Sequence, residues 1–254
     1  MLAMKRFPLI TAAVMVFAAA LIPSVASASI VELGQEPSPI VAPVCPKGVT
    51  PANCLIVLTR TTAVQTTTDG VVNPTKVKRA GFIVAFTIGL AQLSSNAKTD
   101  RGYLHLLDTT YGGTSRVALT VLKPGPKNSY TVAAQSPIFH VEPYLGSVSQ
   151  LPLSLPPTFS AFTALPVARG DVIGLTVPTW APVLAYNLTS NAFTYRQSRT
   201  SNCTHAAATE TAQLTVGLKA QYLCSYTGTR VEYSATEITT KPYPKTYVHG
   251  PRGR

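Results

Sequence analysis

Carboxyl groups are the scarcest reactive side chains in this chain. There are four Asp (69, 100, 108, 171) and six Glu (32, 36, 142, 210, 232, 237) in 254 residues. Cleavage of a glycosidic bond needs two carboxyl groups flanking it, roughly 5–10 Å apart, one to donate a proton and one to act as base or nucleophile. The best pair on offer is Glu142, close to Tyr144 in a Pro-rich stretch, with Asp108 on what reads as a neighbouring strand. Two acids drawn from ten without a motif weigh little against ordinary surface carboxylates. No catalytic residue is assigned on this basis.

Other chemistries find less support. A serine nucleophile elbow requires G-x-S-x-G at a strand-to-helix turn, and Gly146-Ser147 lacks the second glycine. The histidines at 105, 140, 205 and 249 are scattered, and His105 and His140 sit among apolar neighbours, where a structural role is the commoner one. The four cysteines (45, 54, 203, 224) have no C-x-x-C pair, and His205 is only two residues from Cys203, so zinc spacing is missing. No Asp/Asn run has calcium-loop spacing. No metal and no cofactor is expected. Arg169-Gly170-Asp171 has the form of an adhesive tripeptide, but Ile173, Leu175 and Val177 follow at once in strand alternation, so Gly-Asp reads as a turn.

Positive charge is the one global property with functional content. Lys and Arg total 21 against ten acids, a formal charge of +11. Lys76, Lys78 and Arg79 cluster, as do Arg196 and Arg199, and the tail from Lys241 carries no acid. A strong charge of one sign steers oppositely charged partners into encounter. The absence of any nucleic-acid motif turns attention to acidic polysaccharide or cell-wall polymer. Sugar binding would also call for exposed rings that stack on sugar faces. Trp180, Tyr186 and Tyr195 are the candidates for that role, with Glu142 as a polar contact.

Elements that would hold these side chains read as strands. Phe82, Val84, Phe86, Ile88 and Leu90 alternate with smaller residues, Val117, Leu119 and Val121 with polar ones, and Leu214, Val216, Leu218, Ala220 and Tyr222 with Thr, Gly, Lys and Gln. Period two marks a strand with one face on the core. By that rule Val216 and Leu218 point inward. Turn chemistry separates the runs at Tyr111-Gly112-Gly113, at Lys123 to Asn128 and at Thr227-Gly228-Thr229. About ten strands result, one of them near 103–108. No helix is expected beyond a short turn at Ala206–Leu214. Irregular, Pro-rich gaps such as 135–157 disfavour an up-and-down barrel. The expected fold is an all-β, two-sheet sandwich of jelly-roll type.

The N-terminus adds compartment. Lys5 and Arg6 precede the apolar run 7–25, and Ala26-Ser27-Ala28 supplies the small residues a signal peptidase requires. Cleavage after Ala28 would leave 226 residues beginning at Ser29 and reduce the charge to +9. No second long apolar run follows, so no transmembrane segment is expected in the mature chain. Residues 29–52, with five prolines, read as an extended arm, 53–240 as the β-domain and 241–254 as a basic tail. Four cysteines in an exported chain imply two disulfides, and the local pairs Cys45–Cys54 and Cys203–Cys224 are the expectation among three connectivities.

The segment Leu165–Leu175, Leu-Pro-Val-Ala-Arg-Gly-Asp-Val-Ile-Gly-Leu, resembles a recurrent stretch of uncharacterised secreted jelly-roll modules from high-GC Gram-positive bacteria. Arg116–Val121, Tyr130–Ala134 and Phe159–Phe162 are similar to those modules in order and spacing. The resemblance implies an extracellular, non-catalytic module and carries over no activity. Three readings stand: a module that binds or coats an anionic envelope surface, a divergent carbohydrate-active enzyme using loop acids, and a structural or self-associating envelope protein.

Overall fold

A computed structural model describes residues 29–45, 56–153, 164–204 and 209–239. The segments read as leader (1–28) and tail (241–254), Phe159–Phe162 and Cys54 lie outside the described residues. Among the described residues the chain is mostly β, with antiparallel sheets and one α-helix. The smaller sheet runs β1 (Ser29–Leu33), β16 (Tyr233–Thr239), β4 (Gly81–Gly89), β8 (Val148–Pro152), with β9 (Leu165–Val167) also on β4. The larger runs β13 (Lys219–Gln221), β6 (Ser129–Gln135), β5 (Arg116–Gly125), β10 (Val172–Ala181), β2 (Leu58–Thr68), β12 (Thr194–Gln197), β14 (Cys224–Thr227). It curls into half a barrel. β3 (Val71–Val72) and β7 (Phe139–His140) extend it, and β11 (Leu184–Ala185) pairs with β15 (Arg230–Val231). That makes sixteen strands among the described residues rather than ten, many of them only two to four residues long.

The main core draws on both sheets. Ile83, Phe86 and Ile88 of β4 and Ala235 of β16 belong to one buried cluster with Leu119, Val121, Ile173 and Leu175 of the larger sheet. β5 and β10 lie where the alternation placed them, but both their faces are buried, Ala118 and Thr120 as fully as Val117, Leu119 and Val121. β5–β6 is a hairpin through Lys127 and Asn128, both at positive φ. In β4 the alternation breaks. Opposite β16, Thr236 pairs with Ala85 and Glu237 with Ile83, so Val84 is the extra residue of a bulge. A bulge shifts the side-chain phase by one. Ile83 is therefore buried before it, Phe86 and Ile88 after it, and Phe82 is left exposed.

Two further expectations are overturned. The segment expected as a strand near 103–108 is helix α1 (Ala97–Tyr111). Asn96 caps it, its Oδ1 accepting from the backbone N–H of Lys98 (3.0 Å) and Thr99 (3.1 Å), and Gly112 ends it at φ +84°. Five alternating residues are too few to distinguish period two from 3.6, and the caps decide. The second correction concerns 214–222. Only Lys219–Gln221 is a strand; Val216 is 62 % exposed, Leu214 43 % and Leu218 46 %. Of the residues expected to face inward Tyr222 is buried, and with it Gln213, in a strap laid across the outer face of the larger sheet. Its backbone N–H donates to Thr62 Oγ1 (2.9 Å), its side-chain amide donates to the Leu218 carbonyl (2.8 Å), and its Oε1 accepts from the Tyr222 hydroxyl. Beneath it Thr62, Thr176 and Thr120 share hydroxyl bonds of 2.8 and 2.6 Å. Beside this polar patch Val64, Leu122, Tyr130 and Val132 form a buried cluster with Tyr222, so the segment contributes its ring rather than its aliphatics to the interior.

Cys203–Cys224 is formed as expected and closes the loop that carries this strap. The Pro-rich arm starts as β1, paired along its whole length with β16. It then crosses the body as residues 34–41, held from below. Arg230 donates to the carbonyls of Ser38 (3.0 Å), Pro39 (3.1 Å) and Gly34 (3.4 Å), and its Nε lies 3.6 Å from Glu232 Oε2. Glu232 accepts from Val41 N–H (3.2 Å). Gly89 permits the close approach: a Cβ there would stand 1.9 Å from the Val41 carbonyl oxygen.

Candidate functional site

The two carboxylates singled out from sequence are near enough for the charge of Asp108 to act on Glu142, though they do not come from two strands and Asp108 does not line the cavity beside Glu142. Asp108 lies on α1, one helical face with Asp100 and Leu104 by its four-residue spacing. Glu142 opens a one-turn 3-10 helix, Glu142–Tyr144, directly after β7. Helix and turn face each other across a cavity of about 450 Å³ lined by Asp100, Leu104, Thr114, His140, Glu142 and Leu145 with neighbouring Gln92 and Pro143. The helix is docked from its C-terminal end. Arg60 donates to the carbonyls of Thr110 (3.2 Å) and Tyr111 (3.4 Å), where the helix dipole favours a cation, and stands over the Tyr111 ring.

Electrostatics sets the two acids apart. Glu142 Oε2 is buried with no hydrogen-bond partner. Burial raises the Glu142 pKa above the usual carboxylate range and the charge of Asp108 adds to this, while the Ser115 backbone N–H and His140 pull it back. Asp108 instead receives the Trp180 indole N–H at 2.9 Å. His140 Nδ1 lies 3.2 Å from Thr114 Oγ1. A carboxyl group biased towards its protonated form, beside a hydrogen-bonded carboxylate, has the polarity that acid–base chemistry uses. Among the described residues no group of three or more His, Cys, Asp and Glu is placed to hold a metal ion.

The aromatic candidates do not form an exposed strip. Trp180 is fully buried, its N–H shared between Asp108 and the Gly113 carbonyl (3.1 Å). Pro178, with no N–H for the ladder, coincides with a bulge between Val177 and Trp180 that places this ring beneath α1. Tyr195 is buried, stacked on Tyr226 with ring centroids 4.9 Å apart. Tyr186 is half-buried against Ile56 and Ala91. Arg199 is likewise no surface cation: it is buried, donating to Gln197 Oε1 (2.8 Å) and to the carbonyls of Thr59 (2.7 Å) and Thr209 (3.0 Å). Arg196, partly buried, donates to the Tyr222 carbonyl (3.0 Å).

Lys76, Lys78 and Arg79 behave differently. All three are exposed, on a segment that runs antiparallel to 168–172. Val77 N–H donates to the Asp171 carbonyl (2.8 Å), Gly170 N–H to the Val77 carbonyl (2.9 Å), and Lys76 bridges to Val172. This register brings in exposed Arg169, which sequence spacing alone did not connect with the cluster. Asp171, the acid of the adhesion-like tripeptide, is buried and spends its carboxylate on the Ala168 N–H (2.8 Å). None of the four cations has an ion-pair partner among the described residues.

The acid cavity and the basic cluster occupy opposite ends of β10, the first beside Trp180 and the second beside Val172. At about 3.3 Å per residue Val172 and Trp180 are about 26 Å apart. No family model, curated protein or solved structure matches the chain. Function has to be argued from these two sites.

Proposed function

We propose that the protein is an exported, non-enzymatic β-sandwich module of jelly-roll type that binds an anionic envelope polymer through Lys76, Lys78, Arg79 and Arg169. The observation that carries this is the convergence of four exposed cations on two paired segments whose one acid, Asp171, is consumed in a turn. Such a cluster attracts a polyanion and costs no ion pair to engage it. The signal-like start of the sequence and the resemblance at Leu165–Leu175 support an extracellular setting. The burial of Trp180 and Tyr195 argues against ring stacking on sugar as the source of affinity.

The test is retention on immobilised polygalacturonate across a salt gradient. Screening shortens electrostatic reach from about 30 Å at 0.01 M to about 8 Å at 0.15 M, so elution should fall within that range. The variant Lys78→Glu/Arg79→Glu/Arg169→Glu should elute far earlier than Lys98→Glu/Arg101→Glu/Lys127→Glu, which changes the net charge equally on other surfaces. Equal elution of the two variants would reduce the basic charge to a bulk property and remove the site.

The cavity favours a second reading, a carbohydrate-active enzyme with Glu142 as proton donor. Glu142→Gln keeps the shape and removes the titratable proton. Under this reading it abolishes release of reducing ends from an acidic or neutral glycan. Under the first it leaves polymer retention unchanged.

A further inference from the structure

We infer that the turn spanning residues 214–218 is a preformed tip that inserts into an anionic lipid surface. Three aliphatic side chains within five residues, Leu214, Val216 and Leu218, are each more than two-fifths exposed. The tip is not slack chain. Gln213 beneath it is buried and bonded on three sides, Gly217 N–H donates to the Val132 carbonyl (2.8 Å), and Leu218 N–H to the Thr215 carbonyl (3.1 Å). Gly217 takes φ +88°, and a Cβ added there would meet nothing within 4 Å, so the apex looks into open space. Apolar side chains held outward by a fixed backbone lose little freedom when they are buried in a partner.

Composition selects the partner. Protein interfaces gain most of their energy from Trp, Tyr and Arg anchors, whereas Leu and Val are under-represented there. A tip of Leu and Val alone suits fluid hydrocarbon, which needs no shape match. Charge agrees: from Thr211 to Leu223 there is no acid. Lys219 follows the tip at once, and Lys123 lies two strands away, both facing Thr131 in register. Strand spacing puts their Cα atoms about 10 Å apart. Basic side chains flanking a shallow apolar wedge are the arrangement that holds a protein on anionic headgroups. The Cys203–Cys224 disulfide holds the base of this loop. These residues are separate from Lys76, Lys78, Arg79 and Arg169, and the inference does not depend on polymer binding.

The experiment is co-sedimentation of the oxidised chain with vesicles of phosphatidylcholine alone or mixed with phosphatidylglycerol. Wild type should sediment with the phosphatidylglycerol vesicles and not with the neutral ones. Val216→Asp should weaken that binding by about tenfold or more with its melting temperature unchanged, and Lys123→Glu/Lys219→Glu should do the same. Light scattering without lipid identifies the rival occupant. Absence of wild-type binding, full binding by Val216→Asp, equal binding to neutral vesicles, or a lipid-free dimer that Val216→Asp dissociates would each overturn the inference.

Discussion

Glu232 shows how a single side chain sets a pH response. Burial pushes its pKa from an ordinary 4.5 up to about 7, against the pull of Arg230 and of the Val41 N–H, with Asp69 nearby adding to the rise. Between those two values the folded chain holds a proton that the unfolded chain has released. Stability linked to this group is therefore full below about pH 4.5 and is lost as pH rises towards 7, the reverse of acid denaturation. Glu237, buried with one oxygen unpartnered, is shifted in the same sense by the same cause. Thermal melts in a pH series should show the melting temperature falling from pH 5 to pH 7.5. Glu232→Gln should flatten much of that slope, since the amide stands in for the neutral acid and Arg230 keeps its three backbone carbonyls. An unchanged slope would place the charge balance of this clamp elsewhere. None of this was visible in the sequence, because Ser38, Pro39 and Val41, which complete the clamp, come from some 190 residues away.

Among the elements, the strap makes the sharpest prediction. Gln213→Ala removes the side-chain bonds to the Tyr130 and Leu218 carbonyls and to the buried Tyr222 hydroxyl, while the backbone N–H keeps its bond to Thr62. It should cost about 2–4 kcal/mol in denaturant unfolding. Val216→Asp, three residues on, should be nearly neutral. Sequence alternation predicts the opposite ranking, because Leu214, Val216 and Leu218 have the period of a buried strand. Period two reports which residues share a side, but not whether that side meets core or water. Elsewhere it served well: β5, β10 and the β5–β6 hairpin lie where the pattern put them, since both their faces are covered and their turns carry glycine, proline and asparagine. It failed in β4, where one bulged residue shifted the phase, and in α1, whose caps at Asn96 and Gly112 were present but outweighed by a short alternation. Of the candidate site, Glu142 with Asp108 and the trio Lys76, Lys78 and Arg79 were legible. Arg169 was not, because the segment that carries the trio lies about 90 residues away in the chain.

At the scale of the whole molecule, the first and last strands described lie side by side. Ser29 is opposite Thr239 and Leu33 opposite Ala235, and Glu32 accepts hydroxyl bonds from both Ser234 and Thr236. The chain as it leaves the ribosome therefore cannot finish its smaller sheet until Tyr233–Thr239 has been made. β4 waits for the same partner, since β16 lies between it and β1. Closing a loop of 210 residues costs about 5 kcal/mol of chain entropy beyond a constant, and that cost falls before the reward of the contacts. Refolding of the isolated chain should thus be slow for its size, with β1 and β16 gaining hydrogen-exchange protection last. A circular permutant that links Thr239 to Ser29 through a short spacer and opens the chain at Lys127–Asn128 turns this pairing into a local hairpin. Its refolding, followed by stopped-flow fluorescence of Trp180, should be faster at nearly unchanged stability; equal rates would mean that the slow step lies in another part of the topology. The late arrival of β16 has a biological side. Until β16 joins them, β1 and β4 share no ladder, so the smaller sheet presents open strand edges of the kind that pair with other chains while the rest of the molecule is already made.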